Sequence, residues 1–271
     1  MMKDESNNPY SSTPVLPHSN SSSVVGVIPA RWGSTRFPGK SLAPICGKPL
    51  VLWVLERCRL AKELDEILVA TDDERIRSVV EAAGGKVAMT RSDHPSGTDR
   101  IAEAVRPVAA GVVINIQGDE PLIEPSLIDE LALVMKHDSH WDMATAASPI
   151  LDEEELQSSS VVKVVWGQDG QALYFSRSLI PHIREPGAGG VLAHALHWRH
   201  IGIYAYRKTF LQKMVAAPVC DLENAEKLEQ LRALYLGCRM KVVTTNSFGL
   251  GVDNPADVPK AEALLKKAGL V

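Results

Sequence analysis

Short apolar runs alternate with helical segments over the first half of the chain, and this alternation limits the fold more than any other feature. Val24–Ile28, Ile67–Ala70, Val87–Met89 and Val112–Ile116 read as strands, the strongest being "VVINI". Pro49–Ala61 carries Leu50, Trp53, Val54 and Leu55 at helical spacing. A second helix, Glu74–Ala83, is capped at Asp72 or Asp73 and stopped by Gly84-Gly85. A third starts at Ser96 or Thr98 and runs to about Val105, and Pro125–His137 is the fourth. Strand and helix in alternation predict an α/β fold, a mostly parallel sheet with helices on both faces. Ligands of such sheets bind beyond the carboxyl ends of the strands. The loop after Ile28 and the "QGDEP" after "VVINI" both lie there.

The pattern then changes. Val161–Val165 and Ala172–Phe175 flank "WGQDGQ", a hairpin signal with its turn near Asp169-Gly170, and "IGIYAY" is a further strand. This β-rich stretch, around residues 160–206, is expected to be an insertion that caps or dimerises the sheet. A helix over about Leu222–Leu236, the strand "MKVVTT" and a last helix capped by Asn254, with Pro255 at its first position, complete the chain. Residues 24–271 are expected to form one domain. Residues 1–23, rich in Ser, Asn and Pro, read as a disordered leader without the apolar core of a signal peptide.

The basic loop "ARWGSTRFPGKS" offers Arg31, Arg36 and Lys40 together with the backbone freedom of Gly33 and Gly39, which suits a triphosphate. It is not a Walker A loop, since Gly33 and Gly39 stand six apart where that motif needs five. The dinucleotide fingerprint G-x-G-x-x-G is absent as well, which removes a dehydrogenase reading. The alternative is a surface loop whose basic groups are merely solvated. Two further stretches count against it. "NIQGDEP" puts Asp119 and Glu120 directly after a buried strand, and "GVDNP" puts Asp253 just before a helix. Carboxylates from distant segments could share one hard cation such as Mg²⁺, although each alone reads as a turn or cap residue. The net charge of −4 gives no general pull toward nucleic acid or an anionic membrane, so any anion site must be local.

In order along the chain come "VIPARWGSTRFPGKSL", "ATDD", "EAAGG", "MTRSDHPSGTDR", "NIQGDEP", "ALYFSR", "HIGIYAY", "LEQLRAL" and "GVDNPAD". Together they resemble the 3-deoxy-manno-octulosonate cytidylyltransferase family, the CMP-Kdo synthetases of lipopolysaccharide biosynthesis, from about Val24 to the end. The resemblance implies a Rossmann-like nucleotidyltransferase fold, a Mg²⁺-dependent reaction of CTP with the sugar acid Kdo, and a homodimer, while the widely spaced cysteines fit a cytoplasmic protein. By the same resemblance Arg31 and Lys40 hold the triphosphate, and Asp119 and Asp253 bind Mg²⁺. Pro29, Ala30, Ser96, Gly97 and Gln117 complete the nucleotide site, with "HPSGTDR" walling the cytosine and Ser96 and Gly97 close to the base. Gln117 also faces the sugar. Arg177 meets the sugar carboxylate, and His200, Glu226 and Gln230 meet its hydroxyls. Spacing adds that Glu226 and Gln230, four apart, share a helix face, with Leu228, Leu231 and Tyr235 on a different, buried one.

Two stretches depart from the family pattern. "VCDLENAEKLEQL" reaches Glu226 through an unusual Val219-Cys220-Asp221, and "REPGAGGVLAHALHW" is particular to this chain. His194, His197 and His200 stand at three-residue spacing and could bind a transition metal, but no fourth ligand is evident. The four cysteines are widely spaced with no C-x-x-C pair, which fits reduced thiols, and Cys58 reads as a packing residue. The rival readings are a cytidylyltransferase for 8-amino-Kdo or a nonulosonic acid and, in another class, a non-catalytic nucleotide-binding protein. "GSTRFPGK" in place of R-x-G-S-K speaks against the nonulosonic enzymes, and the intact Arg31, Lys40, Asp119 and Asp253 speak against a decayed site.

Overall fold

The alternation predicted up to His137 is present in the fold. The computed structural model describes residues 23–33, 36–246 and 249–271, so the expected leader lies outside the described residues except for Ser23. The first half runs β1 (Val24–Ala30), a small ribbon of β2 (Pro44–Ile45) and β3 (Lys48–Pro49), α1 (Leu50–Cys58), β4 (Glu66–Thr71), α2 (Glu74–Ala82), β5 (Lys86–Met89), α3 (Gly97–Ala104), β6 (Val112–Asn115) and α4 (Pro125–His137). Asp73 caps α2 and Ser96 caps α3, each accepting from a backbone N–H of the first turn.

The second half adds β7 (Met143–Pro149), α5 (Glu153–Gln157), β8 (Lys163–Trp166), β9 (Ala172–Ser176), β10 (Trp198–Arg207), α6 (Lys208–Ala216), α7 (Asp221–Glu226), α8 (Gln230–Tyr235), β11 (Met240–Thr244) and α9 (Val258–Lys267). The strands form one sheet in the order β11-β7-β10-β6-β1-β4-β5, with the β8–β9 hairpin attached to β10. β6, β1, β4 and β5 are parallel to one another, as expected. β10 runs antiparallel between β6 and β7, with Tyr204 opposite both Asn115 and Thr145. The "IGIYAY" strand therefore belongs to the centre of the main sheet. Only the β8–β9 hairpin stands to its side.

Successive residues of β1 serve opposite faces. Ile28 packs with Ile114, Leu127 and Leu131, while Val27 packs with Val113, Ile101 and Phe210. A strand buried on both faces reads as an unbroken apolar run, which is what "VVGVI" is. A third cluster closes the chain on itself. Leu265 and Ala261 of α9 and Val252 pack with Leu50, Trp53 and Ile45. Asn254 and Asp257 form a capping box at this turn. The start of α9 is thereby fixed beside the loop that follows β1.

One expected helix is divided. The segment around Leu222–Leu236 breaks at Lys227, whose φ is 54°. Glu226 ends α7 and Gln230 begins α8, so the two do not share a helix face. Leu228 and Leu231 are buried as expected, but Tyr235 is 70% exposed. The break lets both leucines reach the core while Arg232 turns back to Glu223. Its Nη2 and Nε donate to the two carboxylate oxygens at 2.5 and 2.7 Å. This buried pair ties α7 to α8. Removing one partner of such a pair leaves an uncompensated charge, so Glu223→Gln should destabilise the protein by about 3 kcal/mol in urea unfolding. A loss below about 1 kcal/mol, the range of exposed pairs, would contradict the tie.

Candidate functional site

Parallel strands end together, and the loops leaving β1 and β6 meet there. Gly118 shows how close they come, because a Cβ at this position would lie 2.5 Å from the Pro29 carbonyl oxygen. Gly97, the first residue of α3, lies against the Pro29 ring. Between these segments opens a cavity of about 250 Å³. Pro29, Arg31, Lys40, Ser96, Gly97, Gln117, Asp119 and Asp253 line it. Ala30, expected beside them, points instead into the core and is buried.

The cavity is organised around the Lys40 ammonium. It lies 2.6 Å from Asp119 Oδ2 and 3.3 Å from Asp253 Oδ1, and the Arg36 Nη2 reaches the same Asp253 oxygen at 3.1 Å. Val252 donates its N–H to the Asp119 carbonyl at 2.9 Å, which clasps the two acidic loops together. Gly39, directly before Lys40, has φ 72°, a conformation that favours glycine. Two carboxylates meeting at one cation form an all-oxygen pair suited to a hard divalent ion. Beside them Glu120 is half-buried, and its enclosed Oε2 has no hydrogen-bond partner among the described residues. Burial, reinforced by the charge of Asp119, pushes its carboxyl up to about 7.

Two lining residues, Ser41 and Gly118, have no role in the sequence reading, and His94 and Arg100 line the cavity from the two ends of "HPSGTDR". His94 is paired with Glu103, whose carboxyl is held below its ordinary value mainly by that imidazole against the opposing effect of burial. Arg100 is buried, its Nη1 donating to Thr90 Oγ1 at 2.6 Å beside Asp72. Arg100 belongs to the "HPSGTDR" stretch expected at the base, and an arginine this buried keeps partners, here Thr90 and Asp72.

Of the residues expected around the sugar, Gln117 lines the cavity and the others lie outside its lining. Gln117 donates through Nε2 to the Gly202 carbonyl of β10 at 2.8 Å. Two residues before Gly202, His200 packs edge-on against Phe175. Ser176 Oγ donates to Glu226 Oε1 at 2.6 Å, and the Arg177 backbone N–H donates to Glu226 Oε2 at 3.0 Å. The Arg177 guanidinium donates to the carbonyls of Glu226 and Ser159, at 2.8 and 3.0 Å. Gln230 is buried at the start of α8, and its neighbour Glu229 accepts from Thr98 Oγ1 of α3 at 2.6 Å. The structure thus places Arg177, Glu226 and His200 around the end of β9. It does not bring Arg177, His200, Glu226 or Gln230 into the lining of the cavity itself.

The three histidines do not converge. His194 contacts the Pro186 carbonyl, His197 the Pro181 carbonyl and His200 the Thr145 hydroxyl. Among the described residues no group of three or more His, Cys, Asp or Glu is arranged to hold a metal ion. Cys58 is buried with its thiol pushed up to about 12 by desolvation, as suits a packing residue.

The cytidylyltransferase family model matches residues 25–242. A 3-deoxy-manno-octulosonate cytidylyltransferase of Bdellovibrio bacteriovorus is 50% identical over 91% of this chain and 99% of its own. An 8-amino-3,8-dideoxy-manno-octulosonate cytidylyltransferase of Shewanella oneidensis is 47% identical over 89% of this chain and 98% of its own. Among solved structures, a CMP:2-keto-3-deoxy-manno-octonic acid synthetase complexed with CTP superposes with a TM-score of 0.85 at 43% identity, covering 91% of this chain and 99% of that one.

The environment of His200 has a pH signature. The Thr145 hydroxyl donates to the Ile203 carbonyl at 2.8 Å, so its oxygen accepts from His200 Nε2–H at 2.9 Å. Burial pushes this imidazole down from 6.5 to about 3. Above pH 6.5 it is neutral in both folded and unfolded chains and has no effect on stability. Below that pH the unfolded chain takes up the proton first, and stability falls until about pH 3. His200→Gln should flatten the urea-unfolding profile between about pH 6.5 and pH 4, by at most about 1.4 kcal/mol per pH unit. Identical slopes for the two proteins would contradict a desolvated, neutral His200.

Proposed function

This chain belongs to the cytidylyltransferase family, and we propose that it transfers CMP from CTP to the anomeric hydroxyl of 3-deoxy-D-manno-octulosonate, giving CMP-Kdo and pyrophosphate for lipopolysaccharide biosynthesis. The observation that carries this reading is the cavity in which Lys40, Arg31 and Arg36 face Asp119 and Asp253 at the ends of parallel strands. Its cations suit a triphosphate and its carboxylates suit Mg²⁺, which is commonly held by one or two carboxylates plus substrate phosphates. Bound there, Mg²⁺ would supply neutralisation of phosphate charge.

Arg31 and Lys40 bind the triphosphate and balance the charge that accumulates as the sugar oxygen–phosphorus bond forms and the bond to pyrophosphate breaks. Ser96 and Gly97, at the N-terminus of α3, wall the base. Gln117, fixed by Gly202, stands between nucleotide and sugar and orients the attacking hydroxyl. Arg177 receives the sugar carboxylate through guanidinium donors beyond those bound to Glu226 and Ser159, while His200, Glu226 and Gln230 meet the hydroxyls. No covalent nucleophile is required, because positioning and charge neutralisation suffice for this class of reaction.

We extend the proposal to a cytoplasmic homodimer. No described helix is long and apolar enough to cross a membrane, and the described cysteines are free. Trp166, Trp198, Pro181 and Leu196 line an apolar depression on the β8–β9 side, and Leu173 and Leu196 are 61% and 51% exposed. An apolar surface of this kind suits a second copy of the chain. Light scattering at micromolar concentration should give twice the chain mass, and a monomer would contradict this part.

A pyrophosphate-release assay with CTP and a panel of sugar acids tests the reaction. Kdo should be the best acceptor. Preference for the 8-amino analogue would favour the activity named for the Shewanella relative, and release with no sugar acid would overturn the reading. Chelation should abolish turnover, and Asp119→Asn and Asp253→Asn should each lower it about a hundredfold or more, as expected for a few kcal/mol of lost transition-state stabilisation. Near-normal turnover by both variants would remove the two-carboxylate site.

A further inference from the structure

The placement of Lys40 depends on the residue before it, and that residue rests on an aromatic ring. Gly39 donates its N–H to the Trp32 carbonyl at 3.0 Å. A Cβ on Gly39 would lie 2.9 Å from Trp32 Cη2 and 3.2 Å from both Cζ2 and Cζ3, so the glycine backbone sits directly against the indole. The same indole carries the guanidinium of Arg75, 3.4 Å from a ring centroid. Arg75 is itself clamped, since its Nε and Nη2 donate to Asp73 Oδ1 and Oδ2 at 2.9 and 2.7 Å. Asp73 Oδ1 also accepts the Arg75 backbone N–H at 2.9 Å and so caps α2. The series Asp73–Arg75–Trp32–Gly39 therefore joins the end of β4 to the segment leaving β1, two strands that are neighbours in the sheet. None of Asp73, Arg75 and Trp32 lines the cavity.

We propose that Asp73, Arg75 and Trp32 form a latch that holds the segment before Lys40 in place, making Arg75 and Trp32 positioning residues for nucleotide binding. The contact suits this task. A guanidinium stacks on an indole face more effectively than an ammonium does, and its planar fork meets both oxygens of one carboxylate. One arginine thereby bonds two loops at once. Without the latch, the segment carrying Arg31, Arg36 and Lys40 would have to be ordered when the nucleotide binds, which lowers affinity rather than the rate of the bound complex. This inference rests on the reading of the cavity as the CTP site.

The test joins a binding measurement to one that needs no nucleotide. Arg75→Ala and Trp32→Ala should weaken CTP binding in calorimetry by about threefold to tenfold, which is what an exposed cation–π contact and the ordering of one loop are worth. Turnover at saturating CTP should change by less than about twofold. Trp32→Phe, which keeps a ring, should restore most of the affinity. Trypsin should cut after Arg31 or Arg36 about tenfold faster in Arg75→Ala than in the parent protein, if local opening governs cleavage. Asp73→Asn separates a latch from a simple charge effect. It keeps the helix cap but releases the bidentate clamp, so the latch predicts weaker CTP binding, whereas removal of a negative charge would by itself favour an anion. Unchanged affinity and cleavage in Arg75→Ala, or tighter binding by Asp73→Asn, would overturn the latch. So would a common fall in melting temperature and turnover across all variants, the sign of a merely structural role. If the parent protein fails to bind CTP, the functional reading falls, and the latch falls as a nucleotide-positioning device even where cleavage is faster.

Discussion

One ammonium group holds the site together. Lys40 meets Asp119 from 79 residues away and Asp253 from 213 residues away along the chain. Two carboxylates brought this close without a cation repel each other, by about 1 kcal/mol at 4 Å in water and several times more near a protein surface. The fold therefore has to deliver three loops and a positive charge to one place. Parallel pairing of β1 with β6 delivers the first two loops. The third arrives because α9 packs under α1 and the β2–β3 ribbon, which returns the far end of the chain to its beginning. Gly118 and Gly39 make the last adjustments, one by permitting backbone contact with Pro29 and the other by turning the chain at positive φ.

The parallel half was legible in the sequence because β1 and β6 are buried on both faces and α2 and α3 carry side-chain caps. Val112–Asn115, Asp73, Ser96 and Asn254 all behave as their residue types dictate. β7 was not legible. Its sequence "MATAASP" is short of the branched and aromatic side chains that mark strands, and it forms where β10 and β11 pair with it on either side. β10 was read as a strand but placed at the wrong distance from the centre. Periodicity identifies a strand and says nothing of its neighbours. The break at Lys227 carries no local signal, because Lys has no preference for positive φ, and the conformation goes with the burial of Leu228 and Leu231 and the Glu223–Arg232 pair.

The candidate site shows the same division. Local loop chemistry located the charged groups of the cavity, which are explicit in "ARWGSTRFPGK" and "QGDEP". The segments proposed to meet the sugar are joined by tertiary contacts. Glu226 reaches Arg177 and Ser176 across a helix end, and Gln117 reaches Gly202 across the sheet. A helix-face argument could not have produced this arrangement, because Glu226 and Gln230 belong to different helices. Arg100 and His94 are intermediate cases. They lie within a stretch recognisable from sequence, yet only the fold shows that both line the cavity.

The central claim is that the Lys40 ammonium, poised between Asp119 and Asp253, is the group that receives the nucleotide triphosphate. Calorimetric titration of CTP with Mg²⁺ into the parent protein and into Lys40→Ala tests it most directly. The parent should bind CTP saturably at one site per chain. Lys40→Ala, with its far-UV spectrum unchanged, should bind at least about tenfold more weakly, since a charge-assisted hydrogen bond contributes about 1.5–3 kcal/mol. Equal affinity in the two proteins would show that the cavity around Lys40 is not where the triphosphate is held.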